Sequence, residues 1–515
     1  MEKVKIIFLF EWKMMVRSRS LAILISVMSL AAAYAIYYGT SKISVQKRYI
    51  EYLMGLDKTT KEKIELVFEN PKTADTLKVG YNNMYTVRHP TIAEEYLVNN
   101  VAVNFPNSFS SLSIGQRDVY PIYRKVTARS LYYDGAGISL DEKYGEITNP
   151  QKLMVGNFDL AFLFIYLFPL MIVALCFNLY SIEKEQGTLS LIGTLPISVH
   201  QIVVIKLLFR FLIIAILAVI YSALGYLVSP VSPSDGFDKL AFWSGIVLLY
   251  QAFWFSVCYL IIGFKKNSAF NALSLFCSWL VFLIVIPSFV NNVVEAKYPV
   301  SSRMVLLEDL RDKTGIIWDL PNSITYGEYF KTYPNYKKDV PEYFPADGFD
   351  RMGTNDSLKA FNTQKLFVWH FYLDKIISKA LAAYNQQINT KLRAAATFNF
   401  LNPAAVAQEV LNDIAASGHL RYQNFRNETS RYRNTLFEIS NRYVFEDKRL
   451  SLVDYQRYPH FVMPADEIGT TYAKGSIVLF CLIVLFLSIG YVLHGKTIFF
   501  LKDPSLLKKS PSYSL

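Results

Sequence analysis

The chain has 515 residues, 52% of them hydrophobic, 15% aromatic and only 18% charged, whereas an average soluble domain carries roughly 25% charged residues; this composition argues against a chain that is soluble throughout. The net charge of +11 does not point to nucleic acid, because the basic residues form no stripe with interleaved aromatics and several sit at the ends of apolar runs. The four cysteines, Cys176, Cys258, Cys277 and Cys481, each lie inside an apolar block, which leaves neither a disulfide framework nor a zinc spacing.

Apolar text gathers into six blocks of roughly 20 residues, the length that crosses about 30 Å of hydrocarbon. Residues 1–20 lead into the first block, and Lys3, Lys5, Lys13, Arg17 and Arg19 there place the N-terminus in the cytoplasm. That first block, Leu21 to Tyr38 (21–38), ends near the small residues Ala31, Ala32 and Ala33 but exceeds the usual signal core, so a retained anchor is expected. Segment 39–159 is read as extracytoplasmic, helical from Ser41 to Asn70 and strand-like and turn-rich from Tyr81 to Pro90.

The second span covers Leu160 to Tyr180 (160–180), a cytoplasmic loop fills 181–201, and the third span covers Ile202 to Val228 (202–228). An outer turn with Asp235 and Asp238 against Lys239 leads to the fourth span, Ala241 to Phe264 (241–264). Lys265 and Lys266 mark a cytoplasmic turn before the fifth, Ala269 to Val290 (269–290). Segment 291–474 is again extracytoplasmic, with helical patterns from Ser357 to Leu392 and from Glu428 to Phe445. The sixth span, Gly475 to Leu493 (475–493), precedes a cytoplasmic tail, 494–515, carrying Lys496, Lys502, Lys508 and Lys509. The expected fold is an α-helical polytopic membrane protein with six transmembrane helices and a large mixed α/β extracytoplasmic domain built from two long loops. No internal repeat supports an inverted-repeat transporter.

Gly490, Gly495, Lys496 and Thr497 satisfy the pattern G-x-x-x-x-G-K-[ST]. A phosphate-binding loop needs a preceding buried strand and a following helix in an α/β core; here the glycines end a membrane helix, so ATP and Mg are expected on another polypeptide and no cofactor on this chain. The loop after the second span reads Glu183, Lys184, Glu185, Gln186, Gly187, Thr188, Leu189, then Leu195, Pro196, Ile197 and Ser198. Gly187 permits a sharp turn, Thr188 is expected to cap a short helix running to about Leu195, and Pro196 ends it.

This loop resembles that of the permease subunits of ABC-2 type transporters, in which E-x-E-x-G-T-L, a Pro-containing turn and a basic residue form the element that docks on the ATPase. Glu183, Glu185, Gly187, Thr188, Leu189, Pro196 and Lys206 match it. Glu11, Trp12, Lys13, Arg17, Ser18 and Arg19 resemble the interfacial helix before the first span of these permeases. The resemblance extends to a branch with outer-loop domains of unknown function, described as permeases of the multi-copper enzyme maturation type. It rests on Gly115 to Asp118, Tyr120 and Pro121, Asn149 and Pro150, Gly156 to Asp159, Asn402 to Ala404, Leu411 to Asp413, and Arg421 and Tyr422. No Met-rich or His-rich cluster suggests copper handling, and no metal site is expected.

Asn178, Gln251 and Asn271 are the candidate intramembrane polar residues, with Asp159 at a boundary and Pro169 and Pro287 as expected kink points. The resemblance implies a permease, an exporter, in the bacterial cytoplasmic (inner) membrane with both termini cytoplasmic. Its partners would be two ABC ATPase subunits, a second permease copy or paralogue, and the lipid bilayer. A mechanotransmission complex that passes no solute, and a receptor or assembly scaffold, are the alternatives. A membrane-embedded enzyme has no paired-acid, H-E-x-x-H or Ser-Lys constellation to stand on.

Overall fold

The computed structural model describes residues 2–70, 78–79, 85–86, 101–128, 156–189, 192, 197–232, 236–342, 356–465 and 468–501. It opens with helix α1 (Glu2–Val16), which breaks at Arg17 and Ser18 before α2 (Arg19–Glu69). The break is a capped one: the Ser18 hydroxyl accepts the Leu21 N–H, satisfying a donor that the new helix would otherwise leave orphaned. Two short antiparallel pairs follow, β1 (Lys78–Val79) with β2 (Tyr85–Thr86) and β3 (Val101–Val103) with β4 (Tyr123–Lys125).

The second span, α3, begins at Leu160–Phe162, widens into a π-helical turn at Leu163–Leu167 and continues as Phe168–Cys176, followed by the short α4 (Ser181–Glu185). Helix α5 (Val199–Leu227) starts with a capping box between Ser198 and Gln201, and α6 (Gly236–Ile262) is the fourth span. The fifth, α7, is capped by Asn267 and runs Ser268–Leu280, a second π-helical turn Val281–Val285, then Ile286–Lys297. Both π-helical turns lie just ahead of a proline, Pro169 and Pro287. A proline has no N–H to return to the fourth preceding carbonyl, and a local wide turn accommodates the loss.

The extramembrane helices are α8 (Arg303–Trp318), α9 (Asn322–Thr332), α10 (Asp356–Thr397), α11 (Pro403–Ile414), α12 (His419–Phe445) and α13 (Leu452–Gln456), and α14 (Ile468–Leu501) carries the sixth apolar block. Among the described residues six helices are long and apolar enough to cross a membrane: Arg19–Leu56, Leu160–Glu185, Val199–Leu227, Phe237–Ile262, Ser268–Lys297 and Ile468–His494. The described residues of the extramembrane part are mostly helical, and the strands among them are two or three residues long.

The second and fourth spans form the centre of the bundle, where Phe164, Phe168, Trp243, Tyr250, Phe253 and Trp254 are buried. The fifth and sixth are largely exposed, so their apolar faces are left for lipid or another chain. At 1.5 Å per residue α2 is about 75 Å long, more than twice the hydrocarbon thickness. Its far end packs Val67 and Phe68 into a separate core with Phe367, Phe425, Leu436 and Phe437, and Phe68 stacks on Tyr455. Within segment 291–474, α11 packs directly on the spans. Val406, Ala407, Val410, Leu411 and Ile414 belong to the same apolar cluster as the spans.

Candidate functional site

At the face of the bundle where α1 lies, four charged side chains from three elements meet. Lys206 on α5 sits 3.3 Å from Glu11 of α1 and 3.1 Å from Glu183 of α4, and Arg210 lies 3.7 Å from the other Glu11 oxygen. Glu11 is fully buried and Lys206 nearly so. Charges so placed survive only when paired, and removing one partner leaves another stranded in low dielectric. Glu185 reaches a different helix: its carboxylate accepts from the Ser268 backbone N–H at 2.7 Å and the Ser268 hydroxyl at 2.9 Å. An anion at the start of α7 is favoured by the helix dipole and its unpaired N–H groups. Lys184 donates to the Lys265 carbonyl at 3.1 Å, and the Ser181 and Ser268 hydroxyls lie 2.7 Å apart. The segment from Ser181 to Thr188 is therefore clamped to α1, α5 and α7 together.

Gly187 has φ +75°, the left-handed region that a side chain makes costly. The Thr188 hydroxyl turns back to the Glu183 carbonyl at 3.1 Å and to the Glu183 carboxylate at 2.5 Å, closing the turn, while its carbonyl accepts the Ile192 N–H at 3.0 Å where helical backbone resumes at Leu189. Leu189 is half-buried against the bundle cluster, while Leu195 and Pro196 lie outside the described residues. Of the interfacial residues, Trp12, Arg17 and Arg19 are exposed, but Glu11 points inward, which is why the charges of α1 share no single face.

Within the bundle Asn271 donates to the Phe177 carbonyl at 3.1 Å, a helix-to-helix bond, and Asn178 is half-buried. Gln251 is fully buried, and neither of its amide atoms has a partner among the described residues. The P-loop-like text lies on the unbroken helix α14, which offers no loop to wrap a phosphate. Gly490 has a packing explanation: a Cβ there would come within 2.6 Å of the Tyr259 ring.

At the opposite face, a loop spanning 104–118 and the end of α11 close over the bundle. Phe109 and Leu112 insert into the bundle cluster, and the Leu112 carbonyl accepts the Ala161 N–H at 3.0 Å. Gly39 on α2 lets the Ser111 carbonyl approach to a position that a Cβ would occupy. Asn107 donates to the Ile414 carbonyl at 2.8 Å, Ser110 to Ala415 at 2.7 Å, Ser113 to the Asn412 side chain at 2.7 Å, and Arg117 to Ala416 at 3.1 Å. Asp159 caps α3 through Phe162 N–H and also accepts the Ile114 N–H, both at 2.9 Å. Burial pushes its carboxyl up to about 6 against the pull of those two amides.

Most of the text that carries the branch resemblance meets in this seal. Arg421 donates to Asn104 at 3.0 Å, Asn157 to Asp118 at 3.1 Å, Asn402 caps α11, and Tyr120 stacks on Tyr422 at 3.8 Å. Asn149 and Pro150 lie outside the described residues. Sequence reasoning missed α11 as a bundle element, although its apolar positions Ala404, Ala407, Leu411 and Ile414 recur at helical spacing beside Val406 and Val410. Farther out, an open cleft of about 410 Å³ lies between α9 and α12, with Tyr333, Tyr336, Glu438 and Arg442 on its walls. Among the described residues no group of His, Cys, Asp and Glu is arranged to hold a metal.

Residues 6–349 match the family model described as ABC-2 family transporter protein, and residues 316–463 match a domain of unknown function, DUF3526. No curated protein and no solved structure matches the chain. The first family match takes in more than half of the sequence and all spans but the last, and the second takes in most of the extramembrane helices, α11 among them. The chain belongs to the ABC-2 family of transporter proteins, as a multi-pass transmembrane permease of an ABC transporter with an additional domain of unknown function.

Proposed function

We propose that this permease couples ATP hydrolysis on separate ATPase subunits to movement of its spans and extramembrane domain, working as an exporter in the bacterial cytoplasmic membrane. The α1 face and both termini are cytoplasmic, two ATPase subunits dock there with their ATP and Mg, and a second permease copy or paralogue completes the assembly. The observation that carries this reading is the clamp around Glu183 and Glu185. A push on the exposed turn at Lys184, Gln186 and Gly187 reaches α1, α5 and α7 at once. The acids are engaged within the chain, so the ATPase meets the turn's backbone and Lys184 instead.

The test uses Gly187→Val and Lys184→Glu in the assembled complex, with Asp312→Asn in the extramembrane domain as control. Both turn variants insert normally yet lose ATPase copurification or permease-stimulated ATP turnover, and the control keeps both. Full recruitment and stimulation by the two turn variants would remove the turn from the coupling path.

A second reading, mechanotransmission without solute passage, is favoured by α2, which runs unbroken from the α1 turn to the distant core at Phe68. Reconstituted vesicles that hydrolyse ATP with movement of the extramembrane domain but export nothing would select it over export.

A further inference from the structure

A second concavity lies where α1 gives way to α2. A groove of about 290 Å³ runs between them and α5, lined by Trp12, Met15, Val16, Leu21, Ile25 and Ile213, with Ser18 at its rim. Its walls are apolar, and it sits where the first apolar block begins, the depth at which headgroups give way to acyl chains. Trp12 is 56% exposed at this level, the setting in which an amphipathic ring is most stable at a membrane interface.

The charge around the groove is one-sided. Lys13, Arg17 and Arg19 are exposed and make no ion pair with any described residue, and the acid nearest in sequence, Glu11, is turned inward to Lys206 and Arg210. Ser18 and Ser20, 2.8 Å apart, add two hydroxyls on the same turn. An apolar slot beside three cations that no described residue neutralises, at headgroup depth, fits one class of ligand in both its parts.

We propose that this groove is a binding site for an anionic phospholipid, one acyl chain lying against Met15, Leu21, Ile25 and Ile213 and the phosphate held by Lys13, Arg17 and Arg19. A zwitterionic lipid would fill the slot but leave the cations uncompensated. The bound lipid would then brace the junction through which α1, itself tied to the clamp by Glu11, joins α2.

The full chain is reconstituted into phosphatidylcholine vesicles containing a minority of either phosphatidylglycerol or phosphatidylcholine with brominated acyl chains. Quenching of Trp12 is isolated by subtracting the Trp12→Phe variant. Brominated phosphatidylglycerol is expected to reach half-quenching at about tenfold lower mole fraction than the brominated zwitterion. Arg17→Gln with Arg19→Gln should abolish that preference while zwitterion quenching persists, and Ala22→Phe, which enlarges a side chain on the groove wall and fills the slot, should weaken quenching by both lipids. Equal quenching by the two lipids, or a preference that survives the double arginine variant, overturns the proposal. Displacement by soluble glycerophosphate would also overturn it, because the anion alone would then be the ligand. None of these readouts depends on ATP turnover, so the lipid site can fail while the coupling reading stands.

Discussion

The two ends of the bundle are closed by different chemistry. At the α1 face Glu11, Glu183, Lys206 and Arg210 make a few strong, partly buried ionic contacts. At the opposite face the loop 104–118 and α11 are joined chiefly by side-chain donors on backbone carbonyls, with Arg117 as the main charged donor. A buried ion network is costly to open at any one point, because each loss strands a charge. A set of mostly neutral hydrogen bonds is individually weak and can be exchanged for water one at a time. The first arrangement suits an element that moves as a body. The second suits a boundary that parts.

That contrast is broken most sharply at Lys206, the cation shared by two carboxylates. Lys206→Met should cost about 3–5 kcal/mol, since Glu11 and Glu183 would face each other without it. Thermal unfolding in detergent reads the change, and a loss under about 1 kcal/mol would mean that water already compensates these acids. At the other end Asp159→Ala should cost about 1–2 kcal/mol, the value of a lost helix cap, with greater thiol reactivity at Leu112→Cys as the local sign of a loosened seal. Equal losses at the two ends would erase the distinction.

Between the ends lies Gln251, whose buried amide is unsatisfied within the described residues. Gln251→Leu should raise stability by about 1 kcal/mol if the amide serves only itself, because an apolar side chain of similar size carries no desolvation cost. A drop in melting temperature would instead reveal a polar partner for this position.

The smallest effect is expected at the rim of the seal. His419 lies 3.1 Å from the Tyr120 hydroxyl and 2.8 Å from Gln423, its ring 6.2 Å from that of Tyr120, and burial followed by the nearby Arg426 holds its imidazole below the ordinary 6.5. The unfolded chain therefore binds a proton more readily than the folded one. Its contribution is present above pH 6.5 and is lost as pH falls below it. The unfolding midpoint should decline over that window in wild type and less so in His419→Gln.

The apolar spans were legible because each repeats one signal over roughly 20 residues. The clamp was not, because its members are scattered. Glu11 sits in a leader that is mostly basic and apolar, and only the fold brings it to Lys206. Lys206 itself matched the family text, yet nothing in that text names its partners. Glu183 and Glu185 were picked out as members of the family loop, and within the chain they tie that loop to α5 and α7. Helix α11 escaped notice because 12 residues are too few for a span and no local signal says which surface its apolar face will meet. Pro169 and Pro287 were expected to kink their helices, and the wide turns ahead of them are the form that the disturbance takes.

The length of α2 has a geometric consequence. A rigid rod of about 75 Å that pivots near one end by about five degrees sweeps its far end through about 6 Å, more than one helical turn. Phe68 is held at that far end between Tyr455 and its neighbours, so even a small tilt beside the membrane must either carry the whole distant core sideways or pull Phe68 out of it. The same rod works in reverse. A load placed on the distant core is delivered, with its displacement reduced and its force multiplied, to the turn at Ser18.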